Sequence, residues 1–300
     1  MRSLLEYWLA ALAAFVIRRL PWGVASAAGE CLGLAFYTLL GRRRRIAQDN
    51  LAHAFPDRPP ADRARIARRV FRHLGRALFE FYKFSALSPD AILARVEVEG
   101  IENGRAAYAA GRGVFFLTAH FGSWEVDGLV HALVLAPIGV MARRLDNPRL
   151  DATLERMRQG TGNWVIRRDG GIRRALRALE SGQGVAILID QHVMGADATM
   201  VRFFGRAAAT TSALAKLALR TGAPIVPVFS IPTAPGRYRI VYERPVEPPP
   251  GGSADAVRDY TQRCTDVLEA YVRKYPDLWL WTHRRWRSDR ATEGTSDADA

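Results

Sequence analysis

The stretch from Val114 to Glu125 reads Val-Phe-Phe-Leu-Thr-Ala-His-Phe-Gly-Ser-Trp-Glu. An apolar run leads into His120, a Gly-Ser turn follows, and Glu125 opens a helical pattern. On one continuous helix two residues five apart diverge by ~140°, so a helix alone cannot join them. A strand end, a turn and the first turn of a helix can. The Glu125 carboxylate would then fix the imidazole tautomer and stabilise its protonated form. The other ring nitrogen would be left to take a proton from a substrate hydroxyl. The helix N-terminus beside them offers backbone donors to an anionic group. A structural histidine at the end of a strand fits the same residues, so the pattern alone leaves both readings open.

Other chemistries find less support. Zinc proteases need His-Glu-x-x-His, which is absent, and Asp127 and His131 read as helix residues without a matching ligand set. Ser123 lacks the Gly-x-Ser-x-Gly elbow of serine hydrolases. Gly111-Arg112-Gly113 precedes a strand pattern, not a helix, so it is no dinucleotide fingerprint, and there is no P-loop. Cys31 and Cys264 stand far apart and outside any Cys-x-x-Cys. They exclude a disulfide scaffold and a Cys-rich zinc site, and they suit a reducing compartment.

The elements that must position His120 belong to an α/β pattern. Strands are predicted at Val96–Val98, Val114–Thr118, Ile138–Ala142, Trp164–Ile166, Val185–Asp190, Ile225–Ser230 and Tyr238–Tyr242. Helices are predicted between them at Glu125–Leu135, Pro148–Gln159, Gly171–Glu180 and Thr211–Thr221. Alternation of this kind predicts a sheet covered by helices. Ahead of it, Asp62–Ser85 sets arginines against Ile66, Val70, Phe71, Leu74, Leu78 and Phe81, an amphipathic helix. Ala254–Tyr275 closes the chain as a further helix. The segment from Ser288 to Ala300 is polar and patternless, and predicts disorder.

The composition, 49% apolar and 24% charged over 300 residues, is that of a globular chain with a sizeable core. The formal net charge of +13 favours polyanions: nucleic acid, anionic lipid headgroups or an acidic protein. The arginines are dispersed over many helices and no nucleic-acid module is visible, which argues against the first. At the N-terminus Tyr7–Ile17 is a run of eleven apolar residues closed by Arg18-Arg19, and Val24–Leu40 is a second apolar stretch. Both are shorter than the ~18–20 residues that span a bilayer. Ala25-Ser26-Ala27 resembles a signal cleavage site, but Arg18-Arg19 interrupts the apolar region a signal needs. Leu4, Trp8, Leu12 and Phe15-Val16 recur at helical spacing. Such a helix suits shallow burial in a membrane interface, or packing on the protein's own core.

With these residues in view, the sequence resembles the bacterial lipid A biosynthesis (late) acyltransferases, within the lysophospholipid acyltransferase superfamily. The superfamily signature is His-x4-Asp/Glu. The narrower form, His-Phe-Gly-Asn-Trp-Glu, is similar to His120–Glu125, with Ser123 in place of Asn. Further blocks follow in order: Asn50-Leu51 to Ala54-Phe55-Pro56, Arg144–Pro148, Leu188–Gln191, Phe203-Phe204-Gly205 with Ala209-Thr210-Thr211, Ala223–Val228, and Trp281–Trp286.

The resemblance implies a glycerol-3-phosphate acyltransferase-like mixed sheet covered by helices, with an N-terminal membrane-associated helical extension. Residues 1–41 would be the extension, 42–287 the acyltransferase domain and 288–300 a tail. It implies no metal and no cofactor, an acyl-carrier-protein thioester as donor, and transfer to a hydroxyl of a membrane lipid, a lipid A precursor. No acyl-enzyme intermediate is implied, and the place of action is the cytoplasmic face of the inner membrane. His120 and Glu125 are the catalytic pair. Arg144, Asn147, Arg168, Asp169, Asp190, Gln191, Thr210, Thr211 and Arg284 are candidates for substrate binding. Guanidinium groups match phosphate bidentately, and Arg143 and Arg167 share that potential, although each alone also suits a solvated surface. Asp190-Gln191 falls where α/β sheets place binding groups, or caps the strand. Thr210-Thr211 also suits a helix N-cap, and His283 and Arg284 also suit packing of the last segment. Two other readings remain: acyl transfer to a different lipid, such as an aminolipid or glycosylated phospholipid, and an inactive lipid-binding relative.

Overall fold

The computed structural model describes residues 2–167, 169–251, 253 and 255–286. Four helices come first: α1 (Arg2–Arg19), α2 (Trp22–Leu39), α3 (Gly41–Ala54) and α4 (Pro60–Phe84). Next come α5 (Pro89–Leu93), β1 (Val96–Glu99), α6 (Ile101–Ala109), β2 (Val114–Thr118), α7 (Trp124–Val134) and β3 (Ile138–Ala142). They lead to α8 (Pro148–Gln159), β4 (Trp164–Arg167), α9 (Gly171–Glu180) and β5 (Gly184–Leu188). The chain closes with β6 (Ala198–Phe203), β7 (Arg206–Thr211), α10 (Ala213–Thr221), β8 (Ile225–Ala234), β9 (Arg237–Tyr242) and α11 (Ala256–Lys274). The tail expected at 288–300 lies outside the described residues.

Seven strands form one sheet in the order β1-β9-β8-β2-β5-β3-β4. All its pairs are parallel except β8 with β9, so the sheet is mixed, as expected. Helices cover both faces. Every residue of β2 is buried, and alternate side chains enter opposite layers because successive residues of a strand point to opposite faces. Phe115 and Leu117 pack with Ile225 and Phe229, whereas Val114 and Phe116 pack with Val126 and Leu129 of α7. The fifth strand stops at Leu188, so Asp190, expected inside it, lies two residues beyond.

The β6–β7 hairpin was not legible in the sequence. It joins through Phe204-Gly205, both left-handed with φ 53° and 73°, which is the backbone a two-residue hairpin loop requires. A phenylalanine is strained there. Its ring packs edge-on to Phe55 and Phe203, and its N–H donates to Glu269 at 2.5 Å.

The N-terminal helices are packed on the body of the protein. α2 crosses α4 at glycines: a Cβ on Gly75 would lie 2.1 Å from the Gly29 carbonyl oxygen. Buried Glu80 of α4 accepts from Ser26, Arg76, Gly236 N and the Tyr238 hydroxyl. Lys83 donates to the carbonyls of Ile17, Arg18 and Leu20 at 3.4, 3.1 and 2.5 Å, closing the end of α1. Ala14 and Ile17 of α1 are buried, while Leu5, Trp8, Leu9 and Leu12 are each about three-fifths exposed. Among the described residues no single helix is long and apolar enough to cross a membrane. The bent pair α2 and α3, at 92°, passes that test by length and composition.

Candidate active site

β2 and β5 are adjacent and parallel, with Thr118 opposite Leu188. Each continues two residues past that pair, one to His120 and the other to Asp190. Their side chains meet at the carboxyl edge of the sheet, where open α/β sheets bind ligands. His120 Nδ1 lies 3.0 Å from Asp190 Oδ1. The other oxygen, Oδ2, accepts from the His120 backbone N–H at 3.2 Å and from the Trp279 indole at 2.9 Å. The Asp190 side chain is 2% exposed and the His120 side chain 22%. Burial resists the charge on Asp190, but the facing imidazole and these donors outweigh it and hold its carboxyl below the usual range. Burial also resists an imidazolium at His120, yet the Asp190 charge and hydrogen bond raise its pKa above the ordinary value. The Glu125 charge adds to the rise and Arg158 opposes it.

Glu125 is not the hydrogen-bonding partner expected of it. It sits in the first turn of α7, and the turn directs its carboxylate to α8. There Arg158 grips it through Nε at 2.8 Å and Nη2 at 2.5 Å. Its influence on His120 is through charge alone. Trp124, beside it, sets its ring edge-on to the imidazole at 5.1 Å between centroids. With Nδ1 donating to Asp190, Nε2 carries the lone pair, and the Gln191 amide nitrogen approaches it at 3.4 Å. The arrangement amounts to an oriented imidazole base on a rigid strand end, with an anion behind it.

The turn after His120 is fixed from three sides. Gly122 has φ 57°, and a Cβ there would stand 1.7 Å from the Ser230 carbonyl oxygen, so glycine is required. The buried His73 ring donates to the Gly122 carbonyl at 3.0 Å. Ser123 N donates to Ser230 Oγ at 2.7 Å.

A sequence model of bacterial lipid A biosynthesis acyltransferases matches residues 1–288. The chain belongs to this family. It is 28% identical over 273 residues to the lipid A biosynthesis palmitoleoyltransferase of Escherichia coli, covering 90% of this chain and 87% of the relative. It is 28% identical over 291 residues to that organism's lipid A biosynthesis lauroyltransferase, covering 94% and 92%. It is 26% identical over 240 residues to the phosphatidylinositol mannoside acyltransferase of Mycolicibacterium smegmatis, covering 79% and 77%.

In this acyltransferase the other expected residues scatter. Gln191 joins the site, but Arg144 and Asp169 are exposed on loops, and Arg168 lies outside the described residues. Asn147 is engaged within the fold. Its oxygen caps α8 by accepting from Arg149 N and Leu150 N, and its amide donates to the Ser3 carbonyl and to Glu6, both at 2.9 Å. Arg167 is held by Asp151 and Glu155, and exposed Arg143 lies 3.6 Å from Asp146. Thr210 is fully buried and accepts from Arg285. Thr211 accepts from Ala213 N at 3.3 Å, at the start of α10.

Arg284 is exposed, and its neighbour Arg285 is the buried one, donating to the Ala209 carbonyl at 2.6 Å. Burial pushes the Arg285 pKa down to about 10 against the pull of nearby Asp190. His283 accepts from His192 N at 3.1 Å. Asp127 and His131 are buried in the α7 layer, where His131 meets the Tyr242 hydroxyl at 3.1 Å. Among the described residues no group of three or more His, Cys, Asp or Glu could hold a metal ion. Sequence reasoning missed Arg158 and Trp279, and it met Arg285 only as part of the block Trp281–Trp286. An arginine inside a helix and a tryptophan at a chain end carry no local signal of such a role.

Proposed function

We propose that this enzyme moves a fatty acyl group from an acyl-carrier-protein thioester to a hydroxyl of a membrane glycolipid, a lipid A precursor, with His120 as the base. Nε2 takes the proton of the hydroxyl as its oxygen attacks the thioester carbonyl. The C–S bond then breaks, and the leaving thiolate takes the proton back from the imidazolium. The single observation that carries this reading is the 3.0 Å contact from His120 Nδ1 to Asp190. It assigns the tautomer that leaves Nε2 basic. Glu125, held by Arg158, adds a second negative charge for the imidazolium. No acyl-serine or metal enters the step, and the carrier protein is a co-substrate, not a cofactor.

The lipid acceptor follows from the names of the relatives, most of which act in lipid A biosynthesis. The mycolicibacterial relative favours a second acceptor class, a glycosylated phospholipid. The apolar outer face of α1 suits insertion into the interface, with the net charge of +13 favouring anionic headgroups. We place the enzyme at the cytoplasmic face of the inner membrane, the side that a soluble carrier protein reaches.

Mass spectrometry of total lipids from cells with and without the gene tests the function. Loss of one acyl chain from lipid A supports the reading, and loss from another lipid moves the acceptor. An unchanged lipid profile, with no transfer by the purified protein, leaves only the inactive lipid-binding relative. Transfer from the carrier thioester should slow as salt rises, because steering is screened over ~8 Å at physiological ionic strength. Equal, salt-insensitive rates with acyl-coenzyme A would remove the carrier protein from the proposal.

A further inference from the structure

Resting on the base reading of His120, we infer that the segment Leu278–His283 is a strap that positions the His120/Asp190 pair, with the Trp279 indole as its positioning group and Asn50 as its clasp. The strap runs antiparallel to the catalytic turn, with a bridge between Phe121 and Trp279. Gly122 N donates to the Leu278 carbonyl at 2.9 Å, and Leu280 N donates to the His120 carbonyl at 3.0 Å. The backbone on both sides of Phe121 is thereby fixed to the strap.

Trp279 then acts on the carboxylate. The terminal torsion of an aspartate is soft, so the one contact at Oδ1 would let the Asp190 group swing. Oδ2 is pinned from two directions, by His120 N and by the Trp279 indole. Trp279 itself is 1% exposed and wedged edge-on to Phe203 at 5.3 Å and Trp281 at 4.6 Å. Asn50, buried in α3, donates from one amide nitrogen to the carbonyls of Trp281 at 2.8 Å and His283 at 2.6 Å. A helix more than two hundred residues upstream thus holds the strap against the site.

A tryptophan that merely filled space would leave the ionisation of the pair alone, and this supplies the test. The charged and titrating groups that bear on the His120/Asp190 pair are Glu125, Arg158, His283 and Arg285. In Trp279→Phe all four remain, while the indole N–H and part of the ring's packing are lost. Asp190 then directs more of its charge at the imidazole, so the acid limb of the kcat/KM profile should move to higher pH. The looser carboxylate should lower kcat about tenfold, by analogy with the loss of an outer partner that orients a metal-ligating side chain, with KM for the acyl donor little changed.

A folded Trp279→Phe enzyme with wild-type kcat and an unmoved limb overturns the inference. Should that variant fail to fold, as read by circular dichroism, Asn50→Asp takes its place. It is nearly isosteric and replaces the two donors with acceptors, so kcat should fall while KM for the donor holds. Unchanged kcat in Asn50→Asp overturns the clasp. His120→Ala, run alongside, separates the two levels: full activity there sinks the base reading and the strap with it. A dead His120→Ala beside an unaltered Trp279→Phe sinks the strap alone.

Discussion

Arg158 on α8 holds both oxygens of Glu125 on α7, at 2.8 and 2.5 Å, while His120 turns its Nδ1 to Asp190 at 3.0 Å. The two carboxylates near the imidazole therefore have different duties. One orients the ring by contact, and the other is itself held in place and acts through its field.

The contact partner should matter most. His120→Ala should lose about 10²–10⁴ in kcat with the fold intact, the worth of a positioned base. Asp190→Asn keeps the shape but invites the wrong tautomer, so its loss should be of the same order. The double variant should be little worse than either, because the pair works as a unit. Single-turnover rates on the thioester check this, and losses that multiply would show two independent roles.

The Glu125–Arg158 pair should show itself in stability. Its side chains are 18% and 17% exposed, so neither charge is left comfortably alone. Arg158→Met should cost about 2–3 kcal/mol by stranding a carboxylate. Adding Glu125→Gln should recover part of that cost. Urea melts of the four proteins of the cycle give the coupling, and additive costs would show that the contact contributes nothing.

Activity should require the neutral imidazole. Asp190 raises the His120 pKa, so the acid limb of kcat/KM should lie above the ordinary ~6.5. Asp190→Asn should lower the limb as well as the rate. The stability signs are opposite for the two partners. His120, raised in the folded state, contributes stability that is complete below ~6.5 and is lost as pH rises through the folded pKa. Asp190, lowered in the folded state, contributes stability that is present above ~3.9 and is lost as pH falls through the folded pKa. Melting temperature against pH for wild type and Asp190→Asn reads both.

The outer face of α1 should govern membrane binding. Glutamates at Leu5, Leu9 and Leu12, all exposed, should move the protein from the membrane fraction toward the supernatant without lowering its melting temperature. A triple variant that still sediments wholly with membranes in high salt would put the anchor elsewhere.

The strand end that carries His120 was legible because the apolar run Val114–Leu117 leads toward a Gly-Ser turn. The mixed sheet was legible from the alternation of short β-rich runs with helical ones. The partner of His120 was not, since Asp190 lies 70 residues on and meets it only through the register of β2 with β5. Spacing favoured Glu125, but the direction of a side chain in a helix's first turn depends on how the helix leaves the turn. Gly122, pressed against the Ser230 carbonyl, sets that exit. The hairpin β6–β7 stayed hidden because Ala207-Ala208-Ala209 has no β-pattern and Phe204 is a poor residue for its left-handed position. Asn147 looked like a ligand-binding residue because its block is shared with the family, yet a family block is equally well explained by a cap.

Lys83 and Asn147 give α1 a place in the timing of the chain. Synthesis delivers this helix ahead of its polar partners: Lys83 comes 63 to 66 residues after the carbonyls it holds, and Asn147 comes 144 residues after Ser3. A version of the protein begun at Pro21 would leave the Lys83 ammonium without those acceptors and deprive the α8 cap of two partners. Its loss from membranes would then report a damaged fold as readily as a missing anchor. In the growing chain the order is reversed, and the apolar face of α1 meets whatever surface is at hand before it meets its own protein.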